Sequence, residues 1–284
     1  MKLTIGFSPC PNDTFIFEAL ITGAIDTGDW TFEPVLEDVE TLNQWALEGR
    51  LDVTKLSFPA YFRSREHYIL LASGGAMGIG VGPLLVTADP QRTQPSESDW
   101  ANSRVLLPGQ NTTANLLFSH FYQTPTKTSF GVFSSIEDAL LRGDADYGVL
   151  IHESRFTYHE KGLHLVADLG SRWEAEWQVP LPLGGIAIRR DLSAPAGSAI
   201  EKFIRYSADI AFSRYPQLGS FITENAQTME ESVMRRHIEL YVNRFSLDMG
   251  QEGRKAVSVL KSVYDRLHPD NIDEWPLFLT EPGA

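Results

Sequence analysis

The sequence predicts an α/β protein built from two similar lobes with a cleft between them. Three observations carry this. Short apolar runs alternate with helical stretches in β-α-β-α-β order. Two local patterns recur in the same order about a hundred residues further along the chain. The polar residues able to do chemistry gather where predicted strands end, the place where open α/β sheets bind ligands.

The run LTIGF (3–7) is short, apolar and ended by prolines, so it reads as a buried strand. TFIFEALITGAI (14–25) reads as a helix capped by Asn12, Asp13 or Thr14, with Gly23 near its end. FEPVLED (32–38) is a strand. VETLNQWALEG (39–49) is a helix whose C-terminus suits Gly49, and LDVTKLSF (51–58) is the next strand. This grammar implies a largely parallel sheet.

A glycine-rich stretch, SGGAMGIGVGPLLV (73–86), ends in a strand, and the polar segment 89–99 reads as a surface loop. Strands are expected at 103–109, 129–133 and 146–151, with a helix at 112–122. Ser134-x-x-Glu137 has the capping-box pattern for a helix over 136–143. LHLVADLG (163–170) follows, then a strand at GGIAIRR. Beyond it the chain is helical. Ile200, Phe203, Ile204, Ser207, Ala208 and Ala211 trace one helix face. Thr228-x-x-Glu231 caps a helix through Tyr241, and a last helix runs from about Glu252 to Leu267.

The repeat sits on punctuation residues. Pro9-x-x-Asn12-x-Thr14 is echoed by Pro108-x-x-Asn111-x-Thr113, each leading into an apolar helix. Leu47-x-Gly49-x-x-Asp52 is echoed by Leu141-x-Gly143-x-x-Asp146, each running into a strand. Two facing lobes are expected, with residues 1–86 and 188–284 forming the first and 87–187 the second.

A chain of 284 residues is long enough for both lobes. Its net charge of −13 argues against general binding to nucleic acid or an anionic membrane, while leaving a small anionic ligand open. A single cysteine allows no internal disulfide. The N-terminal MKLTIGFSPCPND lacks the apolar stretch of a secretory signal, and no run reaches transmembrane length. A cytoplasmic protein with no nucleic-acid or membrane partner is expected.

Candidate cleft residues follow from the strand ends. Asn12, Asp13 and Thr14, and again Asn111, Thr112 and Thr113, stand at helix N-termini, where backbone N–H groups attract carboxylate or phosphate. Simple capping explains the same residue types equally well. Asp13 is itself anionic and can occupy its own helix end, which makes the second set the better anion site. Lys55 and Ser57 share one face of a strand; the lysine either meets an anion or reaches solvent along the sheet edge. His152 directly follows the apolar run GVLI, and histidine is the commonest general base, although a structural role fits a strand end too. Glu153 on an extended chain would point away from it. Ser8 and Cys10 complete the first turn, and Cys10 near a helix N-terminus is read as lining rather than nucleophile. The G-x-S-x-G, Walker A and G-x-G-x-x-G patterns do not occur, and neither does H-E-x-x-H nor a Cys/His cluster. Cofactor-free and metal-free chemistry, or plain binding of a small molecule, is expected.

The segments SPCPNDTFIF, LEDVETLNQWALEGRLDVTKLS, GIGVGPLLV, PGQNTTA, LIHESRFTY and YVNRFSLDMG together resemble the 1,4-dihydroxy-6-naphthoate synthase family of the futalosine route to menaquinone. The resemblance runs from residue 3 to at least residue 260. It implies the two-lobed fold of type II periplasmic binding proteins and a lyase that needs no cofactor. Its substrate would be the carboxylate cyclic dehypoxanthine futalosine. It further implies that His152 is the proton acceptor, and that Lys55, Leu56, Ser57, Thr113 and Ala114 contact substrate. A chorismate dehydratase-like sister enzyme of the same pathway and a non-catalytic small-carboxylate-binding protein are the alternatives. A transcriptional sensor domain ranks last, because no helix-turn-helix or basic region is evident.

Overall fold

Two β-α-β-α-β modules, each organised around its own sheet, account for most of the expected strands. The computed structural model describes residues 1–123, 127–226 and 230–279. It divides into unit 1, Met1–Gly78 with Pro182–Ala284, and unit 2, Ile79–Leu181.

Unit 1 begins with β1 (Lys2–Phe7), α1 (Pro11–Ile21), β2 (Thr31–Leu36), α2 (Val39–Leu47) and β3 (Val53–Ser57). α3 (Phe58–Arg63), β4 (Tyr68–Leu70) and β5 (Ala76–Gly78) follow. Unit 2 contains β6 (Leu84–Thr87), α4 (Glu97–Asn102), β7 (Arg104–Leu107), α5 (Thr113–Phe121), β8 (Lys127–Phe130), α6 (Ile136–Leu141), β9 (Tyr147–Leu150), α7 (Ser154–Thr157), β10 (His164–Asp168) and α8 (Leu169–Trp177). The chain then returns to unit 1 through β11 (Leu181–Arg189), α9 (Ala194–Arg214), α10 (Ser220–Asn225), α11 (Glu231–Tyr241), α12 (Arg244–Leu247) and α13 (Gly250–Leu267).

In unit 1 the strand order is β2-β1-β3-β11-β4, with β5 also paired to β11. β1 runs parallel to both β2 and β3. In unit 2 the order is β10-β6-β9-β7-β8, with β7 parallel to β8 and β9. Each unit therefore centres on three parallel strands in the order second-first-third. Neither sheet is largely parallel beyond that triplet. β11 runs antiparallel to β3 and β4, and β6 antiparallel to β9 and β10, because these strands carry the chain between units rather than through a helical crossover.

The same pairings move the expected lobe limits. The units divide at Gly78/Ile79 and Leu181/Pro182 instead of near 86/87 and 187/188. β6 goes with unit 2 because its partners are β9 and β10, and β11 goes with unit 1 because it pairs with β3 and β4.

Local chemistry explains other shifts. α1 starts at Pro11 with Cys10 as its N-cap, not Asn12, Asp13 or Thr14, because proline's fixed φ and missing N–H suit the first helical position. Ser96 and Asp99 form a capping box that opens α4 inside the expected loop. The Ser134/Glu137 box is not made: residues 133–135 form a 3-10 turn and Ser135 precedes α6 without a side-chain cap. Burying Ile136 and Leu140 turns Glu137 inward instead. β8 ends at Phe130, earlier than the expected residue 133, because the chain turns into the 3-10 segment Phe133–Ser135. Thr228 lies outside the described residues; α11 opens at Glu231.

The core of unit 1 packs Ile5, Phe7, Phe15, Phe17, Val53 and Ile186 against Ile200, Ile204 and Ala208 of α9. α1 is buried on nearly every side, since α9, α10 and α11 all pack against it. Leu84, Val86, Ile136, Leu140 and Leu150 form the smaller core of unit 2. None of the helices among the described residues is long and apolar enough to cross a membrane.

Candidate functional site

In a second-first-third parallel triplet the chain leaves the first and third strands toward opposite sides, and the gap beyond their carboxyl ends is the binding position. In unit 1 those ends carry Ser8–Asp13 after β1 and Ser57 as the last residue of β3. In unit 2 they carry Pro108–Thr113 after β7 and His152–Glu153 after β9.

The unit 1 set is a buried polar network. Asp13, in the first turn of α1, accepts hydrogen bonds from Ser8 Oγ at 2.7 Å, Ser8 N at 3.3 Å and Asn12 Nδ2 at 2.8 Å. Lys55 Nζ lies 3.2 Å from Asp13 Oδ1 and donates to the Gly74 carbonyl at 2.7 Å. Both members of this ion pair are about 5% exposed or less. Lys55 thus meets a carboxylate of its own chain. Asp13 also supplies the negative charge that the N-terminus of α1 favours. Ser57 is held from the other side: its N–H donates to Asn43 Oδ1 at 2.9 Å, and its hydroxyl accepts from Asn43 Nδ2 at 3.1 Å. Leu56, between them, is buried and pairs with Gly185 of β11, so only its main chain has polar groups to offer. Cys10 is buried; its carbonyl accepts the N–H groups of Asp13 and Thr14, both at 3.0 Å.

In unit 2, Thr112 caps α5. Its hydroxyl accepts from Asn115 N at 3.2 Å and donates to the Gly109 carbonyl at 2.8 Å. Asn111, Thr113 and Ala114 are buried around this end, and α5 has no acidic residue in its first turn. Backbone N–H groups at such an end have no acceptor within the helix. Here the positive end of the helix is not matched by an acid of its own first turn, in contrast to α1 and Asp13.

His152 departs from the extended chain expected after β9. Its φ is +57°, a left-handed value rare for a residue with a side chain. Glu153 then takes helical angles. This turn brings a Glu153 carboxylate oxygen within 4.8 Å of an imidazole nitrogen, so the two side chains do not diverge as a strand would require. Phe133 covers the ring, centroid to centroid 4.7 Å.

Three participants were not among the expected site residues. His237 Nε2 lies 2.8 Å from Asn12 Oδ1, buried. Its signal was present, since it shares the apolar stripe of α11 with Val233, Met234, Ile238 and Tyr241. Asn43 lies on the buried face of α2, again a polar residue on an apolar stripe. Glu137 is 3% exposed and accepts from Ser154 Oγ at 3.0 Å and Lys161 Nζ at 2.8 Å. The Glu137 hydrogen bond raises the Lys161 pKa against a smaller opposing effect of burial.

A family model described as menaquinone biosynthesis matches residues 3–266. A Thermus thermophilus protein named 1,4-dihydroxy-6-naphthoate synthase is 45% identical over 260 residues, covering 91% of this chain and 92% of the relative. A Streptomyces coelicolor protein of the same name is 36% identical over 260 residues, 90% of each chain. A crystal structure of an Archaeoglobus fulgidus protein superposes with a TM-score of 0.86 at 30% identity, covering 94% of this chain and 97% of that one. The periplasmic aliphatic sulphonate binding protein of Escherichia coli gives 0.68 at 9% identity over 100% and 94% of the two chains, a likeness of fold alone. The fold is that of the periplasmic binding proteins.

Proposed function

The chain belongs to the menaquinone-biosynthesis family, and from that premise we propose that it is a carbon–carbon lyase forming 1,4-dihydroxy-6-naphthoate from cyclic dehypoxanthine futalosine in the cytoplasm. In this reading His152 accepts a substrate proton and so starts bond cleavage. The observation that carries the assignment is the position of His152: it lies two residues past the end of β9, at the binding position of its sheet, turned by a left-handed backbone, with Phe133 against its ring. A strand-end histidine serving only to fill space would gain nothing from a strained backbone.

Thr113 and Ala114 hold the substrate carboxylate by the N–H groups that begin α5. The further contact residues that the resemblance implies, Lys55, Leu56 and Ser57, belong to unit 1, where Asp13 balances the Lys55 charge. Such a set binds an anion and moves a proton using only side chains and backbone.

The test is turnover of purified protein with cyclic dehypoxanthine futalosine, without added metal or nucleotide, products identified by mass. Dihydroxynaphthoate from wild type, and almost none from a folded His152→Ala variant, is the expected result. Ligand binding without product would instead favour a binding protein, and turnover of chorismate a sister enzyme of the pathway.

A further inference from the structure

Resting on the reading of His152 as the base, we propose that Arg155 is its positioning residue, locking the left-handed turn from which the imidazole projects. A left-handed residue with a side chain is strained and persists only where its surroundings over-determine it. The question is therefore what holds Glu153, Ser154 and Arg155, the residues that follow His152.

Arg155 is a two-pronged tether. Its Nη2 lies 2.9 Å from Asp168 Oδ2, and its Nη1 donates to the Gly82 carbonyl. Both acceptors are themselves fixed. Asp168 uses its other oxygen to cap α8, accepting Gly170 N at 2.9 Å and Ser171 N at 3.0 Å. Gly82 lies directly against Gly170: a Cβ placed on Gly82 would come 2.2 Å from Gly170 Cα. The Leu169 N–H, bonded to the Pro83 carbonyl at 3.0 Å, ties the same two strands of chain. The guanidinium thus bridges two points whose separation cannot drift. A planar, forked donor is suited to that role and an ammonium is not.

The second tether is Ser154, whose hydroxyl donates to buried Glu137 on α6. Within the turn, Arg155 N donates to the His152 carbonyl at 3.3 Å and Phe156 N to the Glu153 carbonyl at 2.9 Å. Arg155 therefore sets the direction of the imidazole through the backbone. A misplacement of about 1 Å in a catalytic group can cost 10²-fold in rate.

The experiment measures kcat and KM of wild type, His152→Ala, Arg155→Ala and Arg155→Lys with cyclic dehypoxanthine futalosine, folding being checked by thermal melting. Arg155→Ala is expected to lose roughly 10- to 100-fold in kcat with KM within about threefold. Non-denaturing guanidinium salt is expected to restore part of that loss, and to restore nothing to His152→Ala. Arg155→Lys, the milder change should Arg155→Ala fail to fold, is expected to fall between. Wild-type kcat in the folded Arg155 variants, or a loss confined to KM, overturns the positioning role while the lyase reading stands. No product from wild type overturns the reading of His152 beneath it.

Discussion

Lys55 and Asp13 form a buried ion pair, 3.2 Å apart, that joins the end of β3 to the first turn of α1. The two partners are not equally replaceable. Asp13 has further donors in Ser8 and Asn12, whereas Lys55 has the Gly74 carbonyl. Asp13→Asn leaves a buried cation without its counter-charge and is expected to cost about 3–5 kcal/mol. Lys55→Met leaves a carboxylate still accepting hydrogen bonds and should cost less, about 1–3 kcal/mol. Urea unfolding of both variants checks the ranking; equal losses would mean that the donors to Asp13 contribute nothing.

Asp52 and Asp146 occupy the same post in the two units. Asp52 Oδ2 accepts the Thr4 N–H of β1 at 2.8 Å, and Asp146 Oδ2 accepts the Arg104 N–H of β7 at 2.8 Å. Burial acts to raise the Asp146 carboxyl, but hydrogen bonds and charge from Arg104 outweigh it and hold the pKa below its usual value. A carboxyl lowered by folding stabilises the native state above its unfolded pKa, about 3.9, and that contribution fades as pH falls through the folded value. The stability difference between wild type and Asp146→Asn should therefore be constant near neutrality and shrink below about pH 4. A difference that does not change with pH would remove Asp146 as an acid-sensitive anchor.

Gly82 and Gly170 meet backbone to backbone. A Cβ on Gly170 would lie 2.6 Å from Gly82 Cα, and neither neighbour is a side-chain tip that could swing away. Gly82→Ala and Gly170→Ala are each expected to destabilise unit 2 by about 1–3 kcal/mol. Thermal melts that match wild type would show that the two segments separate without cost.

Cys10 contributes its carbonyl to the start of α1, where the Asp13 and Thr14 N–H groups bond to it; a serine would offer the same carbonyl and is a better helix cap. Cys10→Ser should retain near-normal turnover of cyclic dehypoxanthine futalosine. A loss of several orders of magnitude would make the thiol a participant in the chemistry.

How much of this was legible depends on how far apart the interacting residues lie. Helix and strand periodicity located β1, α2, β3 and α13 to within a few residues and picked out the buried face of α9, because each rests on its own local pattern. The repeat was legible for the same reason: Gly49 and Gly143 both take left-handed angles just past a helix, at +65° and +76°, and Asp52 and Asp146 follow each at the same spacing. The Asn12/Asn111 match reached less far, since Asn12 lies inside the first turn of α1 while Asn111 precedes the cap of α5.

The sequence by itself determined an α/β chain with its polar residues at strand ends, and a motif set resembling one family from residue 3 to at least residue 260. Those properties follow from side-chain periodicity, caps and short motifs. Only the tertiary structure decided that Lys55 meets Asp13, that His237 joins Asn12 across 225 residues, and that β11 lies antiparallel beside β3. It also decided that the chain turns left-handed at His152, under tethers from Arg155 and Ser154 to residues on other elements. Each of these is a pairing between distant segments. A buried charge or amide takes whichever partner the packed fold brings within reach, and the local sequence carries no record of which one that is.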